Sequence, residues 1–194
     1  MAWKVLVADD SEDTWGVVRA CLRKFAYRGL AADVLWAATA SEAEAILHRD
    51  SDIALAFVDV VMESPTAGLD LIERIRQEGR IWRTRVVLLT GNPDVAPRSE
   101  ATQQFDLDGY IDKAQMTPER LYATTYSAVR AYDLISRLDR ARKSIVDAVT
   151  MLQSKDQRDV VARSLTEALH SITQEETIAD SQWEWGSVAE RPKS

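Results

Sequence analysis

Apolar and polar residues alternate in two rhythms along the first two thirds of the chain. Short, nearly unbroken apolar runs occur at Trp3–Ala8, Asp33–Ala37, Ile53–Val58, Val86–Leu89 and Gly109–Ile111. Between them, apolar residues recur at helical spacing, over 14–27 (Val17, Val18, Cys21, Leu22, Phe25), 41–48 and 69–77. Ser41 with Glu44 three residues on reads as a capping box opening the second helix. Thr117-Pro118 opens a later one, with threonine as N-cap and proline in the first helical position. Strands that alternate with helices predict a parallel sheet with helices on both faces, and continuous apolar runs suit strands buried on both sides.

Ligands of such sheets bind beyond the carboxyl ends of the strands. Asp9, Asp10, Asp59, Thr90 and Lys113 all fall at or just past those ends. Carboxylates gathered there repel one another, and a divalent cation relieves the repulsion. Hard oxygen ligands suit Mg²⁺, which uses one or two carboxylates together with a phosphate. An Asp carboxylate is also a nucleophile for phosphoryl transfer. Lys113 can serve as a point charge, and Thr90 as a hydroxyl donor, against phosphoryl oxygens. No glycine-rich phosphate loop accompanies the pattern, which argues against a dinucleotide or P-loop site.

The segments VLVADD (5–10), AFVDVVM (56–62), VVLLTG (86–91) and YIDK (110–113) resemble the receiver domain of bacterial response regulators over roughly residues 1–130. The resemblance implies a flavodoxin-like fold, five parallel strands in the order 2-1-3-4-5. It implies that Asp59 is phosphorylated by a sensor histidine kinase, and that Asp9, Asp10, Asp59 and the main-chain carbonyl of Val61 hold Mg²⁺. Thr90 and Tyr110 correspond to the switch pair, and Lys113 to the phosphoryl-binding lysine. Two departures stand out. Receivers usually carry Pro directly after the Met of the acceptor loop and Gly eight residues past the acceptor. Here Glu63 follows Met62, Pro65 comes later and Gly68 is nine past Asp59, a one-residue insertion. The second is the proline-punctuated stretch 91–97, where a fourth helix should begin. Both resemble a receiver subtype at the head of larger regulators, some ending in cyclic-di-GMP phosphodiesterase domains of the HD-GYP kind. The only histidines, His48 and His170, form no His-Asp dyad of that sort. Haloacid-dehalogenase-like phosphatases also use an Asp nucleophile after an apolar strand, but the second Asp they need two residues later is Val61 here.

Past Thr117 no helix breaker occurs until about Ser154. A helix continuous to Leu152 would be roughly 50 Å long at 1.5 Å per residue. Leu138, Ile145 and Leu152 recur every seven residues, with Ala141 and Ala148 between them and Ile135 and Val149 alongside. Ser154 with Gln157 suggests a new capping box, followed by a helix bearing Val161, Leu165, Leu169 and Ile172 on one face. The expected organisation is a receiver over 1–133, a helical extension over 134–175 and an acidic tail over 176–194. A two-helix hairpin buries little apolar area, so the stripe of Ile135, Leu138, Ile145 and Leu152 is expected to pair two chains or contact a partner. Trp183 and Trp185 in the tail are either a docking peptide or packing residues. Trp3, Trp15, Trp36 and Trp82 read as packing residues.

Net charge is −7, against the clustered basic surface that nucleic acid requires. No apolar run approaches the roughly 18 residues of a membrane span. The beginning lacks a signal-peptide pattern, and a single cysteine, Cys21, excludes an internal disulfide, so a cytoplasmic location is expected. The functional expectation is a response regulator that signals by protein–protein contact, as a homodimer, without a DNA-binding or enzymatic output domain, and with no activity beyond its own phosphorylation and slow dephosphorylation. Two alternatives remain open: a phosphorelay intermediate feeding a histidine phosphotransfer protein, or a dimeric scaffold indifferent to phosphorylation.

Overall fold

The computed structural model describes residues 1–77, 81–91, 104–151 and 158–173. The chain divides into two compact units, the first Met1–Ser136 and the second beginning at Arg137.

In the first unit the apolar runs form a sheet of β1 (Trp3–Ala8), β2 (Ala26–Tyr27), β3 (Leu30–Ala37), β4 (Ile53–Asp59), β5 (Arg85–Thr90) and β6 (Gly109–Asp112). The order is β2-β3-β1-β4-β5-β6. All neighbours pair in parallel except β2 with β3. The five parallel strands keep the flavodoxin-like order that the resemblance implies, and β2 is an addition at the margin. Because β1 lies between β3 and β4, the chain leaves it in opposite directions, which opens a crevice at its carboxyl end.

Burial follows the alternation of strand side chains. Leu6, Val58 and Leu88 face α2 (Ala40–Arg49) and α3 (Ala67–Gln77), joining Leu47, Leu71 and Ile72 in one core layer. Val5, Val7, Phe57, Val87 and Leu89 form the other layer with Val18 of α1 (Glu12–Cys21) and Leu121 and Val129 of α4 (Pro118–Met151). Each such side chain contributes about 1.5–3 kcal/mol on full burial. All of β4 is buried, as its unbroken apolar run requires.

Three local readings change. The helix expected over 14–27 ends at Cys21, passes through a 3-10 turn at Leu22–Lys24 and becomes β2. The reason lies in Arg28 and Gly29, whose φ of 50° and 75° make a two-residue hairpin turning Tyr27 back onto Leu30. The cap of α2 is Thr39, not Ser41. Its hydroxyl accepts from Glu42 N (3.1 Å), and Glu42 reaches back to Ala38 N (2.9 Å), the box set two residues earlier. That frame leaves Ala40, Ala43 and Leu47 facing the sheet. Among the tryptophans, Trp82 is 46% exposed, while Trp3 packs edge-on against Tyr132 and Trp15 stacks on Trp36. Thr117 caps α4 as expected, accepting from Arg120 N at 3.2 Å. The fourth receiver helix expected after Gly91 and the capping box at Ser154 fall outside the described residues.

The second unit contains the distal part of α4 and α5 (Arg158–Thr173). Among its described residues the buried apolar positions are alanines, Ala141, Ala148 and Ala168, with Arg137 and Asp139 buried beside them in the chain. Leu138, Ile145 and Val149 stand 47%, 38% and 53% exposed, and Val146 is exposed beside them. Asp139 is bonded along the helix to Arg142 and Lys143, each at 3.2 Å. On α5, Leu165 is half-buried and Leu169 exposed. Leu152 and the Trp183–Trp185 tail lie outside the described residues.

Candidate functional site

The strand register brings the chemistry-bearing residues to one edge of the sheet. Ala8 is level with Ala37 and Val58, Asp59 with Leu89, and Thr90 with Asp112. Asp9 and Asp10, Asp59, Thr90 and Lys113 therefore emerge side by side. Carboxylate oxygens of Asp9, Asp10 and Asp59 all lie within 4.8 Å of one another. Asp9 and Asp59 are buried and Asp10 is exposed.

Lys113, following β6, points its ammonium between two of these carboxylates, 2.7 Å from Asp59 Oδ2 and 2.8 Å from Asp9 Oδ2. Only the Asp59 contact has hydrogen-bond geometry. Asp9 Oδ1 accepts from Ser11 N at 3.0 Å, closing a tight turn, whereas Oδ2 is buried without a hydrogen-bond donor. That buried oxygen has the Lys113 ammonium as its ion-pair partner, and three carboxylates around one ammonium leave an excess of oxygen donors that fits a hard cation. Burial pushes the Asp59 carboxyl above its ordinary range and the Asp9 charge adds to this, while Lys113 and the Val61 N–H oppose it. For Lys113, burial works against the charge, but the close carboxylates of Asp59 and Asp9 outweigh it and leave the pKa raised.

Thr90 is buried at the end of β5, and Tyr110 is buried in the layer shared with α2 and α3. Val61 lies two residues past Asp59, the last residue of β4, with its side chain 40% exposed. The residues read from the sequence as a helix stripe, Ile135, Leu138 and Ile145, lie on α4.

Three supports were not legible from motif reading. Gly68 N donates to Val60 O (3.1 Å), and a Cβ at Gly68 would lie 1.7 Å from the carbonyl oxygen of Asp59. The glycine displaced by the insertion thus still allows α3 to back directly onto Asp59, and its spacing was the available signal. The Trp36 indole donates to Asp9 O at 2.9 Å, while Asp9 N donates to Ala37 O at 3.0 Å, so the end of β3 holds both sides of the Asp9 residue. Trp15 stacks on Trp36 (centroids 5.9 Å apart), and the Arg19 guanidinium lies over the Trp15 ring, 5.1 Å from its centroid. Finally, both carboxylate oxygens of Glu63 accept from Ala40 N, at 3.1 and 3.2 Å. No periodicity or spacing announces that tie.

This fold and constellation identify a class of signalling domain. The chain belongs to the response regulator receiver domain family, whose sequence model matches residues 5–126. The 3′3′-cGAMP-specific phosphodiesterase 2 of Vibrio cholerae serotype O1 is 37% identical over 130 residues, covering 67% of this chain and 25% of that protein. The chain therefore spans a quarter of that relative's length, in keeping with the resemblance to receivers at the head of larger regulators. A response regulator from Thermotoga maritima superposes with a TM-score of 0.55 at 28% identity, over 67% of this chain and 99% of its own. The signal receiver domain of an HD domain-containing protein from Pseudomonas fluorescens Pf-5 shares the fold, with a TM-score of 0.57 at 20% identity over 68% and 98% of the two chains. Among the described residues no helix is long and apolar enough to cross a membrane.

Proposed function

We propose that this protein is a response regulator that accepts a phosphoryl group on Asp59 from a sensor histidine kinase and passes the signal on by protein–protein contact. The observation that carries the reading is the Lys113 ammonium 2.7 Å from Asp59 Oδ2, within a group of three carboxylates. A carboxylate oxygen of Asp59 attacks the donor phosphorus. The new O–P bond forms as the bond from phosphorus to the kinase imidazole nitrogen breaks, and the imidazole leaves with the bonding electron pair. Lys113 stays with the charge as it spreads onto the phosphoryl oxygens, and Thr90 donates its hydroxyl to one of them. Asp9, Asp10, Asp59 and the Val61 carbonyl are the residues that would hold Mg²⁺, which supplies the remaining charge neutralisation when bound. The new charge favours one arrangement of Thr90, Tyr110 and the adjoining loops, and so shifts a population.

The output is proposed to run through the helical unit. Leu138, Ile145, Val146 and Val149 leave an apolar arc on α4 that a second copy of the chain can cover. The catalytic function in the name of the Vibrio relative belongs to that longer protein; signal reception is the role proposed for this chain, in the cytoplasm.

Incubation with Mg²⁺ and acetyl phosphate, followed by intact-mass measurement, tests the acceptor. The wild type should gain one phosphoryl group and Asp59→Asn none. A wild type that stays unmodified, or a variant modified equally, overturns the reading.

A further inference from the structure

We propose that Glu63 is a positioning residue for the acceptor site, tying the β4–α3 loop to the amino end of α2 and so holding the Val61 peptide in register with Asp59. The inference rests on the metal-site reading given above.

The case begins with what holds each residue after Asp59. Val60 is fixed on both sides, its N–H donating to Leu89 O (3.2 Å) and its carbonyl accepting from Gly68 N (3.1 Å). Val61 comes next. Its carbonyl is the proposed ligand, so the orientation of this one peptide matters to the site. Past Val61 the loop is held by the buried Met62 side chain, by Met62 N donating to Ser64 O (3.2 Å), and by the Glu63 bond to Ala40 N.

The Glu63 tie reaches another element. Ala40 is the first residue of α2, and its N–H is one of the donors that a helix leaves without an internal partner. Thr39 takes the N–H of Glu42 and Glu42 takes that of Ala38, so Glu63 answers the donor between them. A carboxylate there also meets the positive end of the helix dipole. The same short segment, Trp36 to Ala40, grips Asp9 through Trp36 and Ala37. It therefore clasps the metal-ligand turn at one end and the acceptor loop at the other. Glu63 itself is exposed, so the bond rather than packing is what it offers the loop.

The test is Mg²⁺ titration of the full chain by calorimetry, with Glu63→Ala, Glu63→Gln and Ala40→Pro. Ala40→Pro deletes the donor while leaving Glu63 in place. Proline is accepted at a first helical position, and Thr39 before it is already extended (φ −137°, ψ 158°), as a residue preceding proline must be. Glu63→Ala and Ala40→Pro should each weaken Mg²⁺ binding about tenfold, the lower end of what supporting partners contribute to a metal site. The double variant should be no weaker than either single one. Glu63→Gln, which keeps an acceptor oxygen, should stay within about threefold of wild type. If Ala40→Pro does not fold, the contrast between Glu63→Ala and Glu63→Gln carries the test. Unchanged affinity in a folded Glu63→Ala, with lower thermal stability alone, makes Glu63 a mere helix cap and overturns the inference. A wild type that binds no Mg²⁺ overturns the metal-site reading itself, and this inference with it.

Discussion

Gly68 faces the carbonyl of Asp59 so closely that a methyl group in place of its hydrogen would lie 1.7 Å from the oxygen. The obstacle is backbone, which has no rotamer to move to, and the Gly68 N–H is bonded to Val60 O in the same contact. Gly68→Ala should therefore cost about 3 kcal/mol or more, at or beyond the upper end for overpacking a core. Urea unfolding measures it; a loss below about 0.5 kcal/mol, the scale of ordinary surface changes, would show that α3 can back away freely.

Lys113 stands against both Asp59 and Asp9, so its charge opposes a second cation in the same group of carboxylates. Lys113→Met should bind Mg²⁺ more tightly, by roughly three- to tenfold, through loss of that repulsion. The same variant should accept phosphoryl from acetyl phosphate about a hundredfold more slowly, having lost a donor to the developing charge. Tryptophan emission, with Trp36 on the Asp9 carbonyl, offers the binding signal, and mass gain with time gives the rate. Both quantities falling together would contradict the assignment.

Alkaline pH should loosen the first unit through Tyr27. Burial first, then the Asp133 charge, raise its phenol above the ordinary value, with Arg28 offsetting part. The folded protein then holds this proton more firmly than the unfolded chain does. Stability contributed by the neutral phenol is intact below the unfolded pKa of about 10 and falls as pH climbs from there toward the folded value. Tyr132 is raised in the same direction, chiefly by burial. Tyr27→Phe should flatten part of the slope of urea stability against pH, and Tyr27→Phe with Tyr132→Phe more of it. At neutral pH, Tyr27→Phe should cost less than about 1 kcal/mol, because the hydroxyl is 3.5 Å from Asp133 Oδ2. A slope unchanged in the double variant would rule the two phenols out.

Ile145 tests the proposed self-association. It is 38% exposed, between Leu138 and Val149 on the same arc of α4. Ile145→Glu should shift a dimer to monomer in sedimentation equilibrium, with unfolding changed by no more than about 0.5 kcal/mol per chain at matched monomer content. A wild type that sediments as a monomer before and after beryllofluoride treatment would remove the dimer from the model of output.

The parallel strands were legible as apolar runs, and their order followed from the resemblance carried by the residues that end those runs. Ile53–Val58 has one reading, a strand buried on both faces, and Asp59 directly after it can only emerge at the edge. What escaped was structure made by two positive-φ residues and by side chains bonding across loops. Val17, Val18, Leu22 and Phe25 keep helical spacing past Cys21, and only the Arg28-Gly29 turn reveals that the chain has switched to β2. Ser41-Glu44 and Thr39-Glu42 have the same spacing and similar chemistry; burial of Ala40 and Ala43 chooses between them. In the distal half of α4 the period was visible, but the alanines rather than Leu138 and Ile145 are the positions closed within the chain. Glu63 and Trp36 carry no local signature at all, since each acts on a residue more than twenty positions away.

The hairpin at Arg28-Gly29 also shields one edge of the sheet. β3 would otherwise end the sheet with a row of free amides and carbonyls, ready to recruit a strand from a neighbour. The fold spends two residues, Ala26 and Tyr27, in blocking the start of that row, and the Trp15 indole takes the Val34 carbonyl further along. Sheet-to-sheet growth along this margin is thereby discouraged, which leaves the proposed helical contact without a competing mode of association there.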